Sequence, residues 1–311
     1  MDIQLKKHIE EVKLDGLSLK DIPIEYRSNK QVVKAAIVRK YNQYYSDDKL
    51  YTVQMFDVLE AFNYADESLR NDKKFVLKLI EKCSGYLFRY LPENLKNDED
   101  VFLQAITRTG KSYVYSELTK CENKKFSIDD DLYTLGLDDY LLHNVITQYA
   151  GVNVKANKIL MLEAVKYEPG ALIYLNNNLT YDKDIVSIAV SGWGFCLSYA
   201  SERLRDDKEV VLAAIYASCN EHFWWDIVNE EYWSEPIHPE WRDISDRLLN
   251  DKDIYLEIIN DPKKYFMGEY VLNLAPDSIK NNEEVVLAAI KKNKNALKFA
   301  SENLQQKFID F

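Results

Sequence analysis

The chain has 311 residues, of which 47% are apolar and 29% charged, a balance that excludes a disordered polypeptide and fits a folded one. Its formal net charge is −11, which disfavours direct binding to nucleic acid or to an anionic membrane and leaves a basic partner, or plain solubility, as the readings. No run of 18 apolar residues is present to span a membrane, and the four cysteines (Cys83, Cys121, Cys196, Cys219) include no C-x-x-C pair, so reduced thiols in a cytoplasmic protein are expected.

In chain order, Met1 to Glu11 is an amphipathic start without an apolar signal core. Residues 1–27 read as an N-terminal cap that closes on a lone half-repeat, Ile22-Pro23-Ile24-Glu25-Tyr26. A first copy of a longer pattern opens at Asn29 with Val32, Val33, Ala36 and Ile37, is interrupted from Tyr41 to Tyr51, and resumes over Phe56–Leu69. Copies follow at 71–95 and 97–118; residues 119–155 depart from the pattern and read as a degenerate copy, with a helix over Asp139–Ala150 stopped by Gly151. Further copies occupy 156–179 and 181–204, a sixth from Asp206 is split by an insert at 221–246, and two more run 251–279 and 281–304. A period near 25 residues defines a repeat architecture. The expected fold is all-α: a solenoid-like tandem array of short helices, about eight imperfect copies with inserts, in one continuous domain over 1–311 without a Gly-, Ser- or Pro-rich linker.

Each copy carries its own reasons. Asp72, Asp98, Asp182, Asp207, Asp251 and Asn282 share one slot before an apolar run, as helix N-caps. The run then places Val210, Val211, Ala214 and Ile215, or Val285, Val286, Ala289 and Ile290, on one face of a three-turn helix; Leu212 falls off that face. Glycines at Gly85, Gly110, Gly170 and Gly192–Gly194 are expected to end the helix in the left-handed conformation. A second short helix, with Leu197, Tyr199 and Ala200 in one copy, stops at a slot held by Ser201, Ser301, Pro92 or Pro276. Helices this short need their neighbours to be stable.

The segments D-K-E-V-V-L-A-A-I at Asp207–Ile215, L-S-Y-A-S-E-R-L at Leu197–Leu204 and the copy at Asn281–Leu304 resemble the bacterial and viral repeat family known as domain of unknown function 4116. The resemblance implies an all-helical tandem fold and carries over no catalytic residue.

Several short motifs suggest chemistry. Ala105–Ser112 reads A-I-T-R-T-G-K-S, a relaxed phosphate-loop pattern, but a phosphate loop needs a strand before it and a helix start after it. Here the helix of a repeat copy precedes it, so Lys111 is expected in a solvent-facing turn. Cys219 and His222 are three apart, and His222, Asp226, His238 and Glu240 are metal-ligand types without metal-site spacing. Asp129–Asp131 lacks the spacing and glycine of a calcium loop. No cofactor and no metal are expected, and no catalytic motif has a supporting context.

The insert at 221–246 is the anomaly. It holds four of the five tryptophans and eight acids against the single Arg242. Either its aromatics pack it onto the array, or Trp224, Trp225, Glu230, Glu231, Tyr232, Trp233 and Trp241 form a contact patch. Aromatic anchors dominate binding energetics and an acidic rim steers a basic partner. The function expected is a non-enzymatic scaffold that binds a protein with a basic surface. The alternatives are an acidic inhibitor, immunity or counter-defence protein that blocks a nucleic-acid enzyme, and an enzyme with its site at the insert.

Overall fold

The computed structural model describes residues 3–39, 59–110, 146–176, 178–218, 241, 243–261 and 267–309. Among these residues every element is helical and there is no strand. They fall into two compact units, Met1–Asn176 and Asn177–Phe311. Both units are built from the same copy, which has three parts rather than the two expected: a long α-helix, a 3₁₀ turn (an α-helix, as expected, at Met267–Leu274) and a short α-helix, here called the tail helix, of four residues in most copies and seven at Glu302–Phe308.

The long helices include Lys73–Lys82 and Lys158–Tyr167 in the first unit, and Lys183–Gly192, Lys208–Ser218, Lys252–Asn260 and Glu283–Lys292 in the second. Their caps are the residues the sequence offered. The Asp72 carboxylate accepts from the Phe75 N–H at 3.0 Å, Asp98 from Val101 at 3.1 Å, Asp207 from Glu209 at 3.1 Å and Asn282 from Glu284 at 3.1 Å. Each satisfies a backbone donor that the helix start leaves orphaned. The inward face also holds: Val210, Val211, Ala214, Ile215, Val285, Val286 and Ala289 are fully buried. That face is wider than expected, because Leu212 is only 7% exposed.

The break after the long helix differs from the expectation. No left-handed glycine makes it. Instead the residue after the helix is extended: Trp193 has φ −154° and ψ 106°, and Asn293 has φ −147° and ψ 114°. This residue ends one helix and begins the next turn, and Asn293 uses its side chain to cap that turn at the Asn295 N–H, 3.0 Å away. The second element is then a 3₁₀ turn, as at Gly85–Tyr90, Pro169–Tyr174, Gly194–Tyr199 and Lys294–Phe299. The slot of Ser201, Ser301, Pro92 and Pro276 is the cap of the tail helix that follows.

Each of the tail helices Glu67–Arg70, Glu93–Lys96, Glu202–Arg205, Asp246–Leu249, Asp277–Lys280 and Glu302–Phe308 buries one aliphatic side chain: Leu69, Leu95, Leu204, Leu248, Ile279 or Leu304. The first 27 residues, expected to carry only a half-repeat, contain all three parts: Ile3–Leu14, Gly16–Lys20 and Ile24–Arg27. Gly16 is required there, since a Cβ would lie 2.6 Å from the Ala36 carbonyl oxygen.

Copies are joined by polar rungs. The backbone N–H that starts one tail helix donates to the last carbonyl of the previous one: Asp66 to Arg27 at 3.1 Å and Gly151 to Lys96 at 2.9 Å in the first unit, Ser245 to Arg205 at 3.2 Å and Ser301 to Lys280 at 2.9 Å in the second. Pro92 and Pro276 have no N–H to give. A side-chain rung runs beside it. Asn97 donates its amide to the Glu93 carbonyl of its own tail helix at 3.0 Å and accepts from the Asn153 N–H of the next at 3.1 Å. Asn250 likewise bonds the Asp246 carbonyl and accepts from Ser278.

Gly151, expected to stop a helix, instead starts the helix Val152–Ala156, and a Cβ there would strike the Asn97 amide at 2.2 Å. Residues 146–149 are a 3₁₀ turn rather than the end of an α-helix; Ile146 is buried as expected.

A charge ladder links the long helices. The first-turn lysine of one copy meets the cap or first-turn acid of the next: Lys30 to Asp72 at 2.6 Å, Lys73 to Asp98 at 2.8 Å and to Asp100 at 2.6 Å, Lys183 to Asp207 at 2.8 Å and to Glu209 at 2.6 Å, and Lys252 to Glu284 at 2.6 Å. The hydrogen bond from Lys30, and then the backbone N–H groups, hold the Asp72 carboxyl below its usual 3.8. Burial works against ionisation of Asp207, but Lys183 and the backbone N–H groups outweigh it, and its carboxyl too is lowered. Lys73, Lys183 and Lys252 are raised by the same bonds.

Two predictions follow from this architecture. Ile215→Ala removes a fully buried branch and should cost about 2–5 kcal/mol in chemical denaturation. Carboxyls lowered in the fold stabilise it above their unfolded values and lose that contribution as pH falls through the folded ones. Thermal unfolding should therefore show stability dropping below about pH 4, and Asp72→Asn with Asp207→Asn should make the drop shallower.

Candidate functional site

Of the seven residues proposed for a contact patch, Trp224, Trp225, Glu230, Glu231, Tyr232 and Trp233 lie outside the described residues, as do Cys219, His222, Asp226, His238, Glu240, Lys111 and Asp129–Asp131. Trp241 is described, and it is a packing residue: 7% exposed, with its ring centroid 5.8 Å from that of Tyr255. Counting back from the cap Ser245, Trp241 holds the slot of Leu197 and, counting back from Pro92, of Phe88, both fully buried. One end of the insert thus returns to the repeat pattern through an ordinary core position. Tyr255 is itself buried and donates its hydroxyl to the Leu249 carbonyl at 2.8 Å; burial pushes its ionisation well above the ordinary range.

The helix Lys208–Ser218 ends before the insert, and the residues that follow Trp241 are pinned by polar contacts. Asp206 accepts from the Ser245 hydroxyl and from Arg247 Nε at 3.0 Å and 3.1 Å, while Arg247 Nη2 also reaches the Asp206 carbonyl at 2.8 Å. Ser245 and then Arg247 hold the Asp206 carboxyl below its usual value. Arg205 lies 3.4 Å from Asp243. Asp206 stands in the slot of Asn97 and Asn250, so the insert is rooted by the same rung that joins the uninterrupted copies.

A feature missed in the sequence is the placement of acids at helix starts in the second unit. Asp184, Glu202, Glu209, Asp246, Asp253, Asp277, Glu284 and Glu302 are all exposed and all lie in the first turn of a long or tail helix. The contacts from Lys183 to Asp207 and from Lys252 to Glu284 bring successive helix starts side by side. The long-helix acids Asp184, Glu209, Asp253 and Glu284 therefore recur at the repeat spacing, with Glu209 and Glu284 paired to Lys183 and Lys252. Their signal is local: in this unit an acid stands one or two residues after each of these helix caps.

The other described candidates are helix-end or packing residues. Ala105–Gly110 of the phosphate-loop match is the last part of the helix Glu99–Gly110, and Thr107 donates back to the Leu103 carbonyl at 2.6 Å. A helix C-terminus presents carbonyls, not the N–H groups a phosphate needs. Cys83 donates to the Leu79 carbonyl at 2.9 Å, and burial pushes its thiol up to about 12. Cys196 is fully buried in the slot of Ala296, also fully buried, which makes it a small packing residue. Among the described residues no group of three or more His, Cys, Asp or Glu side chains could hold a metal ion, and no helix is long and apolar enough to cross a membrane.

The three-part copy and its rungs define an all-helical tandem-repeat protein. Residues 75–118, 157–198, 182–220 and 263–305 each match the family described as domain of unknown function DUF4116. The chain carries tandem repeats of that family. Comparisons with curated proteins and with solved structures gave no match.

The packing role of Trp241 has a direct test. Trp241→Ala should destabilise the protein by about 3–5 kcal/mol and lower its denaturation midpoint. The indole N–H has no acceptor among the described residues and phenylalanine fills the same slot at Phe88, so Trp241→Phe should lose much less.

Proposed function

We propose that this chain is a binding protein, not an enzyme, whose acidic edge and aromatic insert engage a basic surface on another protein inside a reducing, cytoplasmic compartment. The observation that carries the reading is the recurrence of exposed acids at helix starts through the second unit, in a sequence whose insert adds seven further acids, beyond Asp246, against one arginine. Repeat arrays tend to place variable insertions on one face, often the binding face. With Trp241 assigned to the core, Trp224, Trp225, Tyr232 and Trp233 are the aromatic side chains left for a partner, and Glu230 and Glu231 the acids beside them. Cys83 and Cys196 are buried and in no disulfide, which supports the compartment.

The test is a pull-down with the intact chain, followed by affinity measurements on the recovered partner. Replacing residues 224–240 by a short linker should leave the array folded and weaken binding. Trp225→Ala or Trp233→Ala should weaken it about thirtyfold, the effect of a 2 kcal/mol anchor. Glu230→Lys with Glu231→Lys should slow association and flatten its salt dependence. Full affinity in the trimmed, folded variant would refute the role of the insert. A nuclease as the dominant partner would turn the reading toward inhibition of a nucleic-acid enzyme.

A further inference from the structure

Glu168 is the one carboxylate among the described residues that is buried, at 9% exposure. It ends the long helix Lys158–Tyr167 and precedes Pro169. Its Oε1 accepts from the Ile146 N–H at 3.1 Å, and its Oε2 from the Thr147 N–H and the Thr147 hydroxyl, both at 3.4 Å. These N–H groups begin the 3₁₀ turn Ile146–Tyr149, which lies within the stretch 119–155 that departs from the repeat pattern. The contact closes a separation of about twenty residues through one side chain.

We propose that Glu168 is a proton-operated latch, which holds the turn Ile146–Tyr149 against the end of the long helix Lys158–Tyr167 more firmly when its carboxyl is neutral than when it is ionised.

The chemistry of the site supports both states unequally. A neutral carboxyl can accept the Ile146 N–H on one oxygen and donate its proton to the Thr147 hydroxyl oxygen, which can act as an acceptor. The ionised form keeps three donors but places a charge in the core without a cation. The surrounding elements offer Tyr149 on the turn itself, Lys158, Glu163, Lys166 and Tyr167 on the long helix, Tyr174 on the turn after Pro169, Lys155 on the helix Val152–Ala156, Tyr86, Arg89 and Tyr90 on the turn Gly85–Tyr90, and Glu99, Asp100 and Arg108 on the helix Glu99–Gly110.

Several of these groups are engaged elsewhere. Lys166 pairs with Glu163 at 2.7 Å, Lys155 reaches the Gln148 carbonyl at 2.8 Å, Arg89 lies over the rings of Tyr90 and Tyr149, Glu99 accepts from Asn157, and Asp100 pairs with Lys73. Burial is the largest influence on the Glu168 carboxyl and raises it. The hydrogen bonds from Ile146 and Thr147 oppose that shift but leave it at about 7.

The sign follows. The opened carboxyl ionises near 4.5 and the latched one near 7. Between these values latching takes up a proton, so rising pH favours the open state. Above about pH 7 both states are ionised and the dependence ends.

Hydrogen exchange at the Ile146 and Thr147 amides, normalised to the exchange rates of an unstructured chain, reads the opening directly. In the intact protein the opening constant should rise by up to about tenfold per pH unit between roughly pH 5 and pH 7, then level off. Glu168→Gln copies the neutral form, since its amide can donate to Thr147 while its oxygen accepts from Ile146. It should remove this dependence and keep the turn closed at pH 8. An opening constant that does not vary with pH in the unaltered protein, or varies equally in Glu168→Gln, would overturn the latch. Should that variant not fold, a ¹³C titration of the unaltered protein's glutamate carboxyls decides. A midpoint near 7 for Glu168 is expected, and one near its ordinary 4.5 refutes the proposal.

Discussion

A four-residue helix has no interior. All its amide donors and carbonyl acceptors are terminal, and none is satisfied by a full set of internal bonds. Nor can such a helix nucleate alone, because fixing the first turn is unfavourable and there is no length over which to recover the loss. The tail helices of this chain exist because each borrows from its neighbour. The last carbonyl of one accepts from the first N–H of the next, as from Ser301 to Lys280, and an asparagine such as Asn97 or Asn250 serves the end of one tail helix and the start of the next. Removing a neighbour would expose both ends at once. The single buried leucine or isoleucine of each tail helix then fixes which side faces inward. This mutual dependence makes the repeat a unit of structure that cannot stand alone.

The charge ladder acts on the same junctions from the other side of the copy. A lysine in the first turn of a helix opposes the helix dipole, so Lys73 and Lys183 are poor choices for their own helices. They are good choices for the array, because each reaches the cap and first-turn acids of the following copy. Where the first-turn residue is instead Glu99, the next cap is Asn157 rather than an aspartate, and its amide donates to Glu99 at 3.1 Å. An aspartate there would have set two carboxylates together. Each such pair is exposed and contributes little by itself. Its use is in setting which residue faces which across the junction, while the fully buried Val210, Val211, Ala214 and Ile215 of each long helix supply the bulk of the stabilisation.

Much of this was legible in the sequence. The period, the caps at Asp72 and Asp207, the inward face and the boundary marked by Pro92 and Pro276 all follow from local rules, and all appear where they were expected. What was not legible depended on neighbours. The second element reads as a short helix from its apolar spacing, but a 3₁₀ turn is selected by the extended residue before it, and an extended Trp193 or Asn293 has no sequence signature. The tail helix was hidden because four residues with one leucine are too few for a periodic pattern. In pairs such as Asn97-Asp98 and Asn250-Asp251 only the second residue was assigned a role. The first caps a helix in the adjacent copy, a partner no local window contains. Gly151 was taken as a stop because glycine commonly follows helices. Its actual requirement is room for the Asn97 side chain from the preceding copy.

The same logic explains how the array accommodates an insert in the copy that opens at Asp207. That copy needs a cap, an inward face, a large apolar residue in the turn and a tail helix rooted to its predecessor. The helix Lys208–Ser218 supplies the first two, Trp241 the third, and Ser245 with the helix Asp246–Leu249 the fourth. Each of these four parts is supplied by residues on either side of 219–240. Segments that a rigid scaffold does not need for its own packing often carry function. The concentration of tryptophan and acid in such a segment therefore weighs differently from the same residues inside a copy. At Trp241 the architecture accounts for the aromatic ring; no repeat slot accounts for Trp224, Trp225 and Trp233.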